Sequence, residues 1–320
     1  MTNRKNNITR RSALSLLGAA VAAPAVLRYA NAAEVTVRLH HMLPPISNMH
    51  KNFLAPWAKE LSEKSGGRLN VQIFPSMQLG GKPSQLADQA RKGVVDITWT
   101  LPGYTPGRFP IAETTSLPFM VTTGAKTSVV IHKLMDEFGQ KEYDGIKTLA
   151  FHAHEPGKFH MQKKPITKAS DLKGVSMRAP TQAFGQLLKA LGADPIFLPV
   201  TEMAVSLTNG VIEGTCLPYE VVPAFKLHEL TKFHSTTAPG GRGLYTQTFS
   251  LLMNQKSYEK LPDDLRKVID DNTGIALSER IGKVFESGEN FGLSLVNKAG
   301  NKINEIPKSE IAIMQEAAKP

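Results

Sequence analysis

The segment EVTVRLHHMLPP, from Glu34, alternates: Val35, Val37 and Leu39 are apolar and separated by polar or charged residues. A period of two predicts a half-buried strand that stops at Pro44-Pro45. The period then lengthens. Met49, Phe53, Trp57 and Leu61 recur every fourth residue in NMHKNFLAPWAKELSEKSGG, one apolar stripe of an amphipathic helix ended by Gly66-Gly67. RLNVQIFP alternates again, SMQLGGKPSQ reads as a loop, SQLADQARKG as a helix, and VVDITW as an apolar-rich strand buried on both faces. Strand, helix, strand, helix, strand is the order of a doubly wound α/β lobe. Such lobes bind ligands outside the carboxyl ends of their strands, here HHMLPP, PSMQLGG and TLPGYTPG.

The plan repeats. LADQARKGVVDITWT (86–100) and MAVSLTNGVIEGTCL (203–217) each read as a short helix, a stopping glycine (Gly93, Gly210), a Val-Val or Val-Ile pair, an acid (Asp96, Glu213) and a strand. Around the second copy, GVSMRAP and DPIFLPV read as strands, TQAFGQLLKALGA as a helix, and Thr201 as the N-cap of the next helix. Two similar lobes are therefore expected across a linker near residues 150–160. From about Leu261 to Ala299 the pattern is helical, with Pro262 in the first turn and Gly300 after the end. One helix of that length would span roughly 55–60 Å and brace both lobes, with Gly274, Gly282, Gly288 and Gly292 as places to kink.

Charge changes the picture mainly at the N-terminus. Residues 1–13 carry Arg4, Lys5, Arg10 and Arg11 and no acid, residues 14–27 are mildly apolar, and Ala30-Asn31-Ala32 fits a small-x-small cleavage site. The expectation is an exported protein cut near Ala32, by a twin-arginine route from the pair in TRRSALSLL, although Ala13 stands where a bulky residue is usual. Losing residues 1–32 removes those four charges and Arg28, so the formal charge falls from +10 to +5. The remaining surplus is a weak signal for nucleic acid, and no Lys/Arg run with interleaved aromatics accompanies it. The single cysteine, Cys216, allows no internal disulfide and reads as a small buried apolar residue. Neither a Gly-x-Ser-x-Gly elbow nor a His-Glu-x-x-His pair occurs, and LGGKPS lacks the upstream glycine of a phosphate loop. No catalytic residues, cofactor or metal are expected.

Arg178 closes the strand in DLKGVSMRAP (171–180), just before Pro180. The strand-end rule points its guanidinium into the cleft, where a planar fork of donors suits a carboxylate, or a neighbouring acid of the protein itself. Taken with the paired Gly-Val-Val-Asp and Gly-Val-Ile-Glu turns, the long C-terminal helix and the leader, LKGVSMRAP resembles the DctP-type solute-binding proteins of TRAP transporters, over essentially the whole mature chain. The resemblance implies an α/β fold of two lobes, each a mixed sheet flanked by helices. Lobe one would comprise 33–155 plus about 244–283, and lobe two 156–243 plus about 284–320. It implies a periplasmic protein that catches a small organic acid and docks on membrane permease subunits, without inserting in the membrane itself. Arg178 matches the arginine that bridges to the substrate carboxylate. Lys158 stands, by position and charge only, where the family often has a second basic residue. Where the family commonly reads Gly-x-x-Asn-Pro this chain reads GTCLPYE, so Leu217 replaces an amide, with Tyr219 and Glu220 following. That substitution points to a less polar ligand, an aromatic or branched acid with a 2-oxo or 2-hydroxy group. Trp99, Tyr104 and Phe159 are candidate aromatic walls, each equally a candidate for core packing. An acid at Glu220 is a puzzle beside an anionic ligand.

The histidines offer alternatives. His152, His154 and Glu155 in FHAHEPGKFH are a candidate metal set for an exported hydrolase, but on a strand Glu155 faces away from the two histidines. One of these lobe-junction histidines, or His40 and His41 at the end of the first strand, is otherwise a ligand contact. A sensor subunit for a membrane kinase would carry the same binding features.

Overall fold

The computed structural model describes residues 33–238 and 242–319; the expected leader lies outside the described residues. In chain order the strands are β1 (Val35–His41), β2 (Leu69–Phe74), β3 (Ile97–Thr100), β4 (Ile146–His152), β5 (Lys158–Met161), β6 (Ser176–Ala179), β7 (Asp194–Phe197), β8 (Gly214–Leu217), β9 (Phe233–Thr237), β10 (Phe249–Asn254) and β11 (Lys302–Ile306). They form two mixed sheets, β2-β1-β3-β10-β4 and β11-β9-β5-β8-β6-β7.

The internal echo is a repeat of topology. β1 lies between β2 and β3, all parallel, and β10 joins β3 antiparallel. β6 lies between β7 and β8, again parallel, and β5 joins β8 antiparallel. Gly93 and Gly210 each take a φ of 69°, a left-handed turn that favours glycine. Beyond them the Asp96 amide donates to Arg38 of β1 at 3.2 Å and the Glu213 amide to Ser176 of β6 at 2.8 Å. These equivalent bonds set the register of β3 against β1 and of β8 against β6.

The first helix buries its predicted stripe, with Met49, Phe53, Trp57 and Leu61 all inaccessible or nearly so. It opens as a wider π turn, Met49–Leu54, before the α-helix Ala55–Lys64. Pro56 supplies the reason: it has no N–H to return to the preceding turn. One strand expectation shrinks and one helix start moves. VVDITW is paired only from Ile97, and Val94 before it is half exposed. The helix expected from a Thr201 cap starts instead at Val200, after Pro199.

The single forty-residue C-terminal helix is corrected. The segment forms two helices, Asp263–Asp270 and Ile275–Lys298; a short helix, Gln255–Glu259, precedes it, and β11 and a last helix, Lys308–Ala317, follow. The break falls at Gly274, whose φ of 83° is outside the helical range and whose amide donates to the Leu149 carbonyl at 2.7 Å. The 24-residue helix that remains, about 36 Å long, still touches both lobes. Ser278 accepts from the Phe151 amide and Glu286 from the Ala125 amide, both in lobe one. Glu289 accepts from the Glu220 amide, in lobe two. Its glycines allow close approach rather than kinks. A Cβ on Gly282 would lie 2.5 Å from the Ala125 Cα, and one on Gly292 would lie 1.8 Å from the Tyr219 carbonyl oxygen.

Gly292→Ala is therefore expected to lower stability by ~1–3 kcal/mol, although alanine favours a helix. Exposed Ser294→Ala on the same helix should stay within about 0.5 kcal/mol. Urea denaturation of the two variants compares them, and equal midpoints would mean that this backbone contact is not tight.

Candidate functional site

Arg178 lies third in a four-residue strand, next to the parallel edge strand β7, and its side chain has no exposed surface. Nε donates to the Leu198 carbonyl at 3.0 Å, and Nη2 reaches the Tyr104 hydroxyl at 3.4 Å. Nη1 is buried and has no partner. A buried cationic group missing an acceptor is costly, so this arm is a strong site for an anion. Tyr104, from the loop after β3, also accepts from the Val200 amide at 2.9 Å. The hydroxyl thus ties lobe one to lobe two with two accepted bonds, and its own proton is left to donate. Burial raises the Tyr104 pKa, so that proton stays on.

The cavity beside Arg178 encloses about 520 Å³, part of it open to solvent, and draws its lining from both lobes. Met42 and Leu43 come from the end of β1, Trp99 from β3, Leu217 from β8 and Val200 from the chain after β7. Phe249 opens β10, and Phe285 projects from the long helix. The aromatic wall is ordered: Trp99 stacks on Phe249 at 4.9 Å between centroids and 5° between planes, and Phe285 lies 6.1 Å beyond. The Trp99 indole donates to His152 Nε2 at 2.8 Å, which fixes the indole plane. A flat, apolar slot with a cationic end suits a planar monocarboxylate better than a polyol.

Of the residues singled out in the sequence, Arg178, Trp99, Tyr104, Leu217, Glu220 and His154 line this cavity. The others lie elsewhere. The Lys158 ammonium is committed to Glu289 on the long helix and sits 5.2 Å over the Tyr219 ring. Phe159, on the opposite face of β5, packs in the core of lobe two with Cys216 and Tyr245. Tyr219 is buried against His160, with its hydroxyl unpartnered. His40 pairs with Gln89 at 2.7 Å, and His41 with His50 at 2.9 Å, both behind the cleft wall. His152, His154 and Glu155 do not converge either. His152 serves Trp99, the Glu155 carboxylate accepts from the Gly124 amide, and among the described residues no three His, Cys, Asp or Glu side chains are grouped to hold a metal ion.

Gln247, Phe249 and Phe285, which the sequence did not single out, line the cavity as well. Their signals are ambiguous in one dimension: Phe285 continues the apolar stripe of its helix, and Phe249 opens an ordinary strand.

Glu220 resolves its own puzzle. Burial first, then the nearby Glu289 carboxylate, pushes its pKa up to about 8, against the smaller opposing influences of Asn48 and Lys158. At neutral pH it is mostly a neutral acid and does not repel an anion.

The sequence model of the bacterial extracellular solute-binding proteins, family 7 (DctP), matches residues 39–320. The chain belongs to this family. A TRAP solute-binding protein of Rhodoferax ferrireducens, solved with copurified benzoate, superposes with a TM-score of 0.87 at 44% identity, over 89% of this chain and 88% of that one. A marine metagenome TRAP solute-binding protein specific for aromatic acid ligands, solved with 3-hydroxybenzoate, gives 0.87 at 43% identity over 90% and 89%. Among curated relatives, an uncharacterized Sinorhizobium fredii protein is 26% identical over 269 residues, which is 82% of this chain and 48% of that protein. The chain thus spans about half the length of that relative. This DctP-family chain has, among its described residues, no helix long and apolar enough to cross a membrane.

The raised Glu220 pKa has a consequence for stability. Between about 4.5, its ordinary value, and about 8, the folded protein holds a proton that the unfolded chain releases. The group's contribution is therefore complete below that window and is lost as pH rises through it. Glu220→Gln should flatten the fall in unfolding free energy between pH 5 and pH 8 by on the order of 2 kcal/mol. Denaturant titrations at both pH values read it, and parallel slopes in the two proteins would refute it.

Proposed function

We propose that the protein is the extracytoplasmic substrate-binding subunit of a TRAP-type transporter, and that it captures an aromatic monocarboxylate in the Arg178 cleft and delivers it to membrane permease subunits. The observation that carries this reading is the unpartnered Nη1 of a fully buried Arg178 at the edge of an aromatic-walled cavity. The ligand carboxylate accepts from Nη1 and from the Tyr104 hydroxyl, while its ring lies against Trp99, Phe249 and Phe285. Leu217 supplies apolar surface where the family commonly has an amide. The benzoate and 3-hydroxybenzoate carried by the two structural relatives support the same class.

Lobe one would be 33–155 with about 244–283, and lobe two 156–243 with about 284–320. Ligand contacts on both favour the closed arrangement by their extra affinity for it. Residues 1–32 would be the export leader, cleaved near Ala32, by the twin-arginine route. In this reading the ligand leaves chemically unchanged, as cargo bound by an anchor and walls.

A thermal-shift screen of residues 33–320 against C4-dicarboxylates, sugar acids, branched 2-oxo acids and aromatic acids tests the class. A ligand at a hundred times its Kd should stabilise by about 2.7 kcal/mol. Aromatic acids should give the largest shifts, and shifts from dicarboxylates or sugar acids alone would reject the aromatic assignment. By calorimetry, Arg178→Ala should weaken every carboxylate by at least ~2 kcal/mol; unchanged affinity would remove Arg178 from the anchoring role.

A further inference from the structure

His154 is 2% exposed, lines the cavity, and has a ring nitrogen, Nε2, that is buried without a partner. Its other nitrogen settles which kind of partner is missing. Nδ1 lies in hydrogen-bond contact with the Glu155 carbonyl oxygen, which can only accept, so Nδ1 carries the proton. The His154 carbonyl is itself held by Thr246 Oγ1 at 2.9 Å, and the ring packs edge-on to Tyr245 and tilted to Phe249. Moving the proton to Nε2 would turn the Nδ1 lone pair onto the Glu155 oxygen. A second proton is opposed first by burial, and also by the Lys158 and Arg178 charges, which together bring the His154 pKa down to about 3. Nε2 therefore carries a lone pair. Two residues that line the cavity thus each hold a buried unpartnered atom, Arg178 Nη1 and His154 Nε2, and the two are opposite in kind. One calls for an acceptor and the other for a donor.

A carboxylate satisfies only the first, because an unprotonated carboxylate has no hydrogen to give. We propose that His154 selects acids that also carry a hydroxyl, so that the preferred ligands are hydroxylated aromatic monocarboxylates over their unsubstituted parents. This rests on the aromatic-carboxylate reading of the same cleft. The ring hydroxyl of a hydroxybenzoate, or the side-chain hydroxyl of mandelate, donates to Nε2 while the carboxylate accepts from Arg178. A parent acid leaves the buried nitrogen without a partner, a loss that a site built to hydrogen-bond its ligand translates into discrimination. His154 is then a specificity residue, and Arg178 an anchor common to all the acids.

Calorimetric titrations of the full mature chain with matched pairs test it: benzoate against its three monohydroxy isomers, and phenylacetate against mandelate. In at least one series the hydroxy acid should bind at least tenfold tighter than its parent. Among meta-substituted benzoates, the amino compound, which donates, should share the gain of a meta-hydroxyl, and the fluoro compound, which does not donate, should fail to. His154→Phe should bring the hydroxy acid's affinity down to that of its parent, abolishing the preference. His154→Gln, which offers an amide oxygen, should restore part of the preference. Equal affinities within every wild-type pair would overturn the proposal, as would a His154→Phe variant that weakens parent and hydroxy acid by the same factor. If the phenylalanine variant does not fold, the wild-type pairs and the glutamine variant decide. If no aromatic acid binds, the aromatic reading falls, and this proposal falls with it. If aromatic acids bind and depend on Arg178 but show no hydroxyl preference, only the role of His154 is lost.

Discussion

A guanidinium with no exposed surface needs acceptors for its donors, and Arg178 leaves one of its nitrogens, Nη1, without any. Its Nε is spent on the Leu198 carbonyl and Nη2 on Tyr104, so the side chain is held in a single orientation before any ligand arrives. Nη1 then faces a cavity whose walls are mostly apolar. In such surroundings an ion pair is strong but an unpaired charge is expensive. The same feature that gives affinity for an anion makes the empty cleft the less comfortable state.

Two neighbouring groups keep that electrostatic arrangement workable. Glu220 lines the same cavity, but burial and the adjacent Glu289 hold it largely protonated near neutral pH. The Lys158 charge, which would otherwise add to the attraction, is absorbed by Glu289. One net positive centre remains at the cavity, and it suits a single carboxylate better than two. The Lys158–Glu289 pair also ties the long helix to β5, so a pair that resembles a binding feature in sequence is part of the brace between lobes.

That brace depends on small residues. Gly282 and Gly292 let the helix Ile275–Lys298 lie against the backbone at Ala125 in one lobe and at Tyr219 in the other. The Tyr219 carbonyl it touches belongs to the segment that carries Glu220, so helix packing and the cavity wall share one stretch of backbone. Tyr104 makes a second link across the cleft, through its hydroxyl to Val200 and Arg178. Both bridges converge on the elements that line the cavity.

Periodicity in the chain determined the elements and their repetition. Alternation at Val35, Val37 and Leu39 and the four-residue stripe from Met49 are local consequences of strand and helix geometry, and they appear in the structure where the pattern puts them. The paired glycine turns announced two lobes of one topology, because a left-handed turn before a buried strand leaves a mark in composition. Arg178 stood out for a related reason: it is a lone arginine ending a short apolar strand before a proline, and the structure buries it in the lining of the cavity. What the chain could not disclose by itself was which groups meet across the cleft. Lys158 and His154 are four residues apart, yet one is neutralised by residue 289 and the other lines the cavity with one ring nitrogen unpartnered. Phe249 and Phe285 carry ordinary core patterns and become cavity walls only when β10 and the long helix return to lobe one. The forty-residue helix divided because Gly274 turns its amide to Leu149, a partner 125 positions earlier. Local spacing decides which element forms. Tertiary packing decides which polar atoms lose water and find no replacement, and Arg178 Nη1 and His154 Nε2 are two of them.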